Sequence, residues 1–368
     1  MQDKQKSLLI ITNLYPVPWG PNRASFNKQQ FDLIAQNIPI KIVILLTWKE
    51  WLNHRKLCHS TNEIKYCPYF YIPKVGRRLV PFFQFFSLMF LIPWMKKQQV
   101  SVLMASWGFP DAVAASMVNK FLRLPFFVKV HGTDVNENVK FSARTRLMRY
   151  WLNKAERIFC ASKALADELG QQGIDNSKLL VNYNGVNPKI FYPEPVKSER
   201  QRFVFVGSLI ATKGVNELIS AIIICKQKCP DITLDMLGEG PMKSVLIDKI
   251  NEHNLNDTIK LYGSVPLPRV AEFIRNASVL VLPSYREGVP NVLLESFACG
   301  TPVIATRVGG IPEVVNDDVG ILVDKKNSEQ LANAMFSALN KDWCSEKILS
   351  HAAHFDWHKN VQRVMEEI

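Results

Sequence analysis

Short runs of β-branched and other apolar residues recur along the chain, separated by stretches with helical periodicity. SLLIIT, IKIVILL, VSVLMAS, FFVKVHG, RIFCAS and KLLVNYN mark the first half, and RFVFVGS, ITLDMLG, TIKLYGS, SVLVLPS, TPVIATR and GILVD mark the second. The runs are nearly continuous rather than alternating, the pattern of parallel strands covered by helices on both faces. Two doubly wound α/β domains are therefore expected, residues 1–190 and 201–345. The stretch NGVNPKIFYPEPVKSERQ, with three prolines, reads as the connection, and the linker is placed at 191–200. Residues 346–368 form a terminal helical segment.

One segment breaks the alternation. RRLVPFFQFFSLMFLIPWMKK, residues 77–97, has a 17-residue apolar portion from Leu79 to Met95 that contains Pro81 and Pro93. That falls short of the roughly 20 residues a spanning helix needs. Two readings stay open: a helix buried in the first domain, or an interfacial helix flanked by Arg77, Arg78, Lys96 and Lys97. Charge gives the second reading its weight. Of 368 residues, 1–200 carry 28 Lys and Arg against 13 Asp and Glu, whereas 201–368 carry 17 against 20, for a total of +12. The basic half implies an anionic partner. Without a zinc finger, an RRM signature or a helix-turn-helix pattern, nucleic acid is not the expected one. The seven scattered cysteines and the absence of a signal-peptide layout point to the cytoplasm.

The chemistry concentrates in YREGVPNVLLESFACGTPVIATRVGGIPEVV, residues 285–315. SVLVLPS reads as a strand, YREGVP as the loop beyond its carboxyl end, and NVLLESFACG as a helix stopped by Gly300. Open α/β sheets bind ligands at that edge. The first-turn amides from Asn291 to Leu293 suit a diphosphate, Gly288 lets backbone approach closely, and Glu295 is placed to accept bonds from a ribose diol. Glu287 would face whatever extends past the phosphates. One carboxylate for a ribose and one for an outer group describe a nucleotide-sugar.

The glutamate-x-seven-glutamate stretch and its continuation, CGTPVIATRVGGIPE, resemble the signature of the retaining family 4 (group 1) glycosyltransferases. That resemblance implies the GT-B fold: two Rossmann-like domains facing across a cleft, with a C-terminal helix crossing back to the first domain. FVGSLIATKGVNELISAI resembles the start of the family's donor domain and assigns Lys213 to the diphosphate; Ser208 stands where arginine is frequent. VKVHGTDV resembles the segment whose histidine reaches the transferred sugar, here His131. YPVPWGPNRASF resembles the loop after the first strand, which implies Gly20 near the phosphates and Asn22 and Arg23 near the acceptor; Gly20-Pro21 replaces the usual glycine pair. His351, His354 and His358 would share a helix face at i, i+3 and i+7, but the segment resembles the family's terminal helix and lacks a fourth ligand. No metal or cofactor is expected, the nucleotide-sugar being a substrate.

The resemblance implies hexosyl transfer with retention, from UDP-sugar by family frequency, to a glycan or lipid-linked glycan acceptor of surface polysaccharide or lipopolysaccharide synthesis. The expected location is cytoplasmic, with peripheral docking on the inner face of the membrane through residues 77–97. His131, Lys213 and Glu287 are the expected catalytic group; Gly20, Ser208, Lys213, Gly288, Asn291, Val292, Leu293 and Glu295 are expected to bind the donor. Two other readings use much the same pocket: a GT-B nucleotide-sugar epimerase, and a non-catalytic nucleotide-sugar-binding partner subunit.

Overall fold

The computed structural model describes residues 6–71, 76–136, 141–194 and 201–368. The chain divides into two compact units, one reaching to Asn184 and including Trp357–Ile368, the other covering Gly185–Asp356.

The first unit contains seven strands: β1 (Leu8–Thr12), β2 (Ile40–Thr47), β3 (Ile64–Tyr69), β4 (Val102–Ala105), β5 (Phe126–Val130), β6 (Arg157–Cys160) and β7 (Leu179–Val181). They form one parallel sheet in the order β3-β2-β1-β4-β5-β6-β7. Six of these match the apolar runs; β3 does not. Its sequence IKYCPY alternates and contains Pro68, which an edge strand tolerates because one side of it needs no ladder bond.

Because side chains alternate across a strand, β1 serves two cores. Leu9 and Ile11 pack with Leu103, Val128, Leu88 and Met95 on one face. Leu8 and Ile10 pack with Ile44, Phe31, Ile34, Val361 and Val364 on the other. The second set includes the helix Trp357–Glu367, so the C-terminal helix covers the first sheet, beside the helix Ser25–Ala35. The Trp357 indole donates to Gln29 Oε1 at 2.8 Å.

Residues 77–97 become a short turn and two helices, Val80–Met89 and Ile92–Lys97, with Pro93 in the first turn of the second. The segment is buried in part and exposed in part. Leu88 and Met95 are fully buried, while Phe86 is 62% and Phe90 86% exposed. Among the described residues, no helix is long and apolar enough to cross a membrane.

The second unit contains β8 (Arg202–Val206), β9 (Thr233–Leu237), β10 (Ile259–Gly263), β11 (Val279–Leu282), β12 (Val303–Thr306) and β13 (Gly320–Val323), all matching the apolar runs. They form a parallel sheet in the order β10-β9-β8-β11-β12-β13. Strand order reverses between β1 and β4 in one sheet and between β8 and β11 in the other, which marks the edge where such sheets bind ligands.

Two boundaries differ from the sequence reading. The units divide at Asn184, before the expected linker at 191–200. Phe191 is buried and Tyr192 lies over the Arg275 guanidinium at 4.7 Å, which anchors this stretch to the second unit; residues 195–200 lie outside the described residues. Of 346–368, only Trp357–Ile368 joins the first unit, because the helix Ser345–Ala352 ends before the next begins. That break also separates the three histidines, which do not share one helix face. His351 Nε2 lies 2.8 Å from the Val314 carbonyl, and His354 Nδ1 lies 3.0 Å from the His351 carbonyl. Among the described residues no cluster of His, Cys, Asp and Glu could hold a metal ion.

Candidate active site

In the second unit, loops from four strands close over the carboxyl edge of the sheet, and glycines set how near they come. A Cβ on Gly214 would sit 2.0 Å from the Pro283 carbonyl oxygen; one on Gly238 would sit 1.9 Å from that of Gly207; and one on Gly309 would sit 1.9 Å from that of Glu287. Gly214 and Gly309 also have left-handed backbone, at φ +69° and +53°. Hydrogen bonds lock the same loops: the Tyr285 amide donates to Thr212 at 2.8 Å and the Gly310 amide to Gly288 at 3.0 Å.

This arrangement joins two of the expected residues. Lys213, after β8, forms an ion pair with Glu287, after β11, at the reversal of strand order. Their side chains are 25% and 13% exposed, so the pair is reachable yet shielded. Gly288 adjoins it, and Ser208 is exposed on the β8 loop. Beyond the loop, the helix Asn291–Ala298 opens after Pro290. Here one expectation is corrected: the Leu293 amide is not open, since it donates to the Pro290 carbonyl at 3.1 Å through a tight first turn. The diphosphate reading thereby loses one of its three expected amides. Glu295 is half-buried on this helix, and burial raises its carboxyl to about 7.

In the first unit, Gly20 does not have an open amide either. Its N–H donates to Val17 at 2.8 Å within a tight turn across Pro18 and Trp19. Arg23 is similarly engaged, with Nη1 on Glu50 at 2.7 Å and Nη2 on the Asn13 carbonyl at 2.6 Å. Asn22 is exposed beside it.

His131 follows β5 and is held tightly. Its backbone amide and that of Gly132 donate to Asp134 Oδ1 at 3.0 and 2.7 Å, while Gly108 donates to Asp134 Oδ2 at 2.7 Å. Burial raises the Asp134 carboxyl, and these amides oppose the rise. The imidazole lies between Phe26 and Trp107, with ring centroids 5.1 and 6.0 Å away. Nε2 is 3.0 Å from Ser106 Oγ, whereas Nδ1 is buried without a partner among the described residues. Burial, and then the nearby Lys129 cation, hold the ring well below the usual histidine range, so it is neutral.

Sequence reasoning passed over the groups behind His131. Lys129 is 2% exposed in the middle of β5, and burial lowers its amine to about 7. Asn27, Gln30 and Ser106 are equally buried around it. A lysine inside the apolar run FFVKV was the available signal, because such a residue is almost never fully buried unless paired.

Comparison with known proteins places this chain in a family. The glycosyl transferases group 1 model matches residues 186–365, and the Glycosyltransferase Family 4 model matches 42–190. An uncharacterized glycosyltransferase of Methanocaldococcus jannaschii is 30% identical over 282 residues, 74% of this chain and 77% of that one. The chain belongs to the group 1 glycosyltransferases. A Bacillus subtilis protein named for teichuronic acid biosynthesis, TuaC, is 30% identical over 244 residues, covering 63% of this chain and 59% of its own. Among solved structures, sucrose-phosphate synthase from Thermosynechococcus elongatus has a TM-score of 0.80 at 18% identity, with 98% of each chain covered. Anabaena HepE in complex with UDP has a TM-score of 0.74 at 18% identity, again with 98% of each chain covered. The structural likeness establishes the GT-B fold.

Proposed function

We propose that this glycosyltransferase moves a hexose from a UDP-sugar, with retention at the anomeric carbon, to a glycan or lipid-linked glycan used in surface polysaccharide or lipopolysaccharide synthesis. The Lys213–Glu287 pair at the strand-order reversal carries the reading. A cation there can take the charge that develops on a departing diphosphate, and preorganised charge is usually the largest catalytic contribution. Glu287 would then exchange its lysine for hydroxyls of the donor sugar, and Glu295 would accept from the ribose. The bound UDP of HepE supports the choice of nucleotide. The proposed reaction assigns acceptance of the incoming proton to the leaving phosphate. Neither a metal nor a cofactor enters it.

Isothermal titration with UDP- and GDP-sugars, joined to a product assay, tests the reading. UDP-sugar binding with acceptor-dependent turnover is the expected result. Binding without turnover would favour a partner subunit, and turnover without acceptor would favour an epimerase.

The acceptor proposal rests on the first unit's surface. Phe86 and Phe90 project outward, Phe121 is 47% exposed, and Phe85 stacks at 6.3 Å from Phe121. Arg77, Arg78, Lys96 and Lys97 flank these rings in sequence. Aromatic side chains among basic residues suit an anionic lipid surface, where each cation contributes about 1 kcal/mol. We therefore place the protein at the cytoplasmic face of a membrane. Cosedimentation should favour anionic over neutral vesicles, weaken with salt, and fall when Phe86 and Phe90 are replaced by Ser. Equal recovery on both vesicle types would refute this docking.

A further inference from the structure

We propose that Lys129, Gln30, Asn27 and Ser106 are positioning residues that fix the tautomer of His131, with the proton on Nε2 and Nδ1 left bare to accept a hydrogen bond from a hydroxyl of a bound sugar. The sugar contact rests on the function proposed above; the tautomer follows from the hydrogen-bond directions alone.

Two side-chain amides in this network are oriented by backbone carbonyls, which can only accept. Asn27 Nδ2 donates to Leu14 O at 2.9 Å, so Asn27 Oδ1 faces the other way. Asn360 Nδ2 donates to Tyr183 O at 2.7 Å, so Asn360 Oδ1 faces Gln30 and takes its Nε2. Gln30 Oε1 then points to Lys129 Nζ, 2.8 Å away, and Asn27 Oδ1 lies 3.4 Å from the same Nζ. A lysine has donors for both acceptors whether charged or neutral, so the directions survive its titration.

Ser106 completes the chain. Its Oγ lies 3.2 Å from Asn27 Oδ1, which has no hydrogen to give, so the single hydroxyl hydrogen goes there. The 3.0 Å contact between Ser106 Oγ and His131 Nε2 must therefore be an N–H of the imidazole donating to the serine oxygen. A neutral imidazole protonated at Nε2 has its lone pair at Nδ1, the atom that is buried without a partner. Among the described residues, the ionisable groups set against the ring are Lys129 on its own strand and Asp134, whose carboxylate takes the His131 backbone amide. The helix Ser25–Ala35 contributes Phe26, Asn27 and Gln30, and the C-terminal helix contributes Asn360 to Gln30 and Trp357 over the Lys129 ammonium at 5.6 Å; none of these titrates.

Nitrogen NMR of the full-length protein labelled at its histidine nitrogens reads the tautomer without substrate. The His131 signals are identified by their loss in His131→Gln. The expected spectrum at pH 7.5 has a protonated Nε2 and a bare Nδ1, with Ser106→Ala giving a mixture and Ser106→Thr restoring the single form. Ser106→Ala should also lower kcat/KM about tenfold, the order expected for one lost hydrogen bond, while the UDP Kd changes less than twofold. Protonation at Nδ1 in the wild type, or an unchanged tautomer in Ser106→Ala, would overturn the proposal. The expected tautomer together with wild-type kinetics in His131→Gln would uphold the relay and refute the sugar contact instead.

Discussion

Replacing Lys213 by Ala tests whether the Lys213–Glu287 pair is a donor site or a structural brace. The substitution removes a cation whose side chain is 25% exposed and leaves a carboxylate that is 13% exposed without it. If Lys213 meets the diphosphate, its loss removes a charge-assisted hydrogen bond of about 1.5–3 kcal/mol, which raises the UDP Kd roughly ten- to a hundredfold. Glu287→Gln separates the two roles, because in the unliganded protein Glu287 competes for the same ammonium. That variant should bind UDP at least as tightly as wild type while turning over UDP-sugar more slowly, since the lysine is released but, in the proposed role, the sugar loses its carboxylate. Titration calorimetry with UDP, a thermal melt and a product assay give the needed comparison. A Lys213→Ala protein with a lowered Tm and a wild-type UDP Kd would refute the reasoning, because the pair would then be only a brace.

Glu295 predicts a pH dependence of binding. Burial raises its carboxyl to about 7 before ligand binds, and in the proposed role it accepts from both ribose hydroxyls only when ionised, so UDP affinity should rise as pH increases through about 7. In Glu295→Gln that rise should vanish in calorimetry run from pH 5.5 to 8.5. Gly309→Ala should lower kcat/KM at least tenfold, because its Cβ would meet the Glu287 carbonyl at 1.9 Å on left-handed backbone. Gly20→Ala, whose Cβ would meet nothing nearer than Val17 at 3.4 Å, should keep both its Tm and its UDP affinity, and a large loss of either would return that loop to the phosphate site. Stability should also respond to pH in opposite ways at two buried groups of the first unit. Lys129 falls from 10.5 to about 7 on folding, so the unfolded chain holds the extra proton and stability relative to Lys129→Met should climb between those values, by at most about 1.4 kcal/mol per pH unit. Asp111 rises from 3.8 to about 7 through burial, so the folded chain holds the extra proton and stability relative to Asp111→Asn should decline over that range. Urea denaturation across pH 4.5–9.5 reads both slopes, and a flat difference curve for either variant would remove that group from the account.

What could be read in the sequence was what short-range pattern encodes. All six strands of the second sheet appear as apolar runs, the central ones because they are buried on both faces; of the ion pair, Glu287 was found in the loop beyond such a run and Lys213 through the resemblance of its strand-loop-helix stretch. β3 escaped because an edge strand with Pro68 lacks that signature. Errors also arose where a backbone donor is consumed locally: the Gly20 and Leu293 amides are taken by residues three positions earlier, a matter of turn geometry that composition does not reveal. The network behind His131 was the least legible part. Asn27 and Ser106 are 79 positions apart, and Gln30 and Asn360 are 330 apart, so each reads as an ordinary polar residue until the C-terminal helix covers the first sheet. Lys129 alone announced the network, because a cation within a buried strand requires acceptors from somewhere else in the chain. The same reasoning distinguishes the two sheet edges. In the second unit position is enforced by glycines that admit no side chain, which motif reading detects; in the first it is enforced by amide directions fixed at distant carbonyls, which only the folded chain brings together.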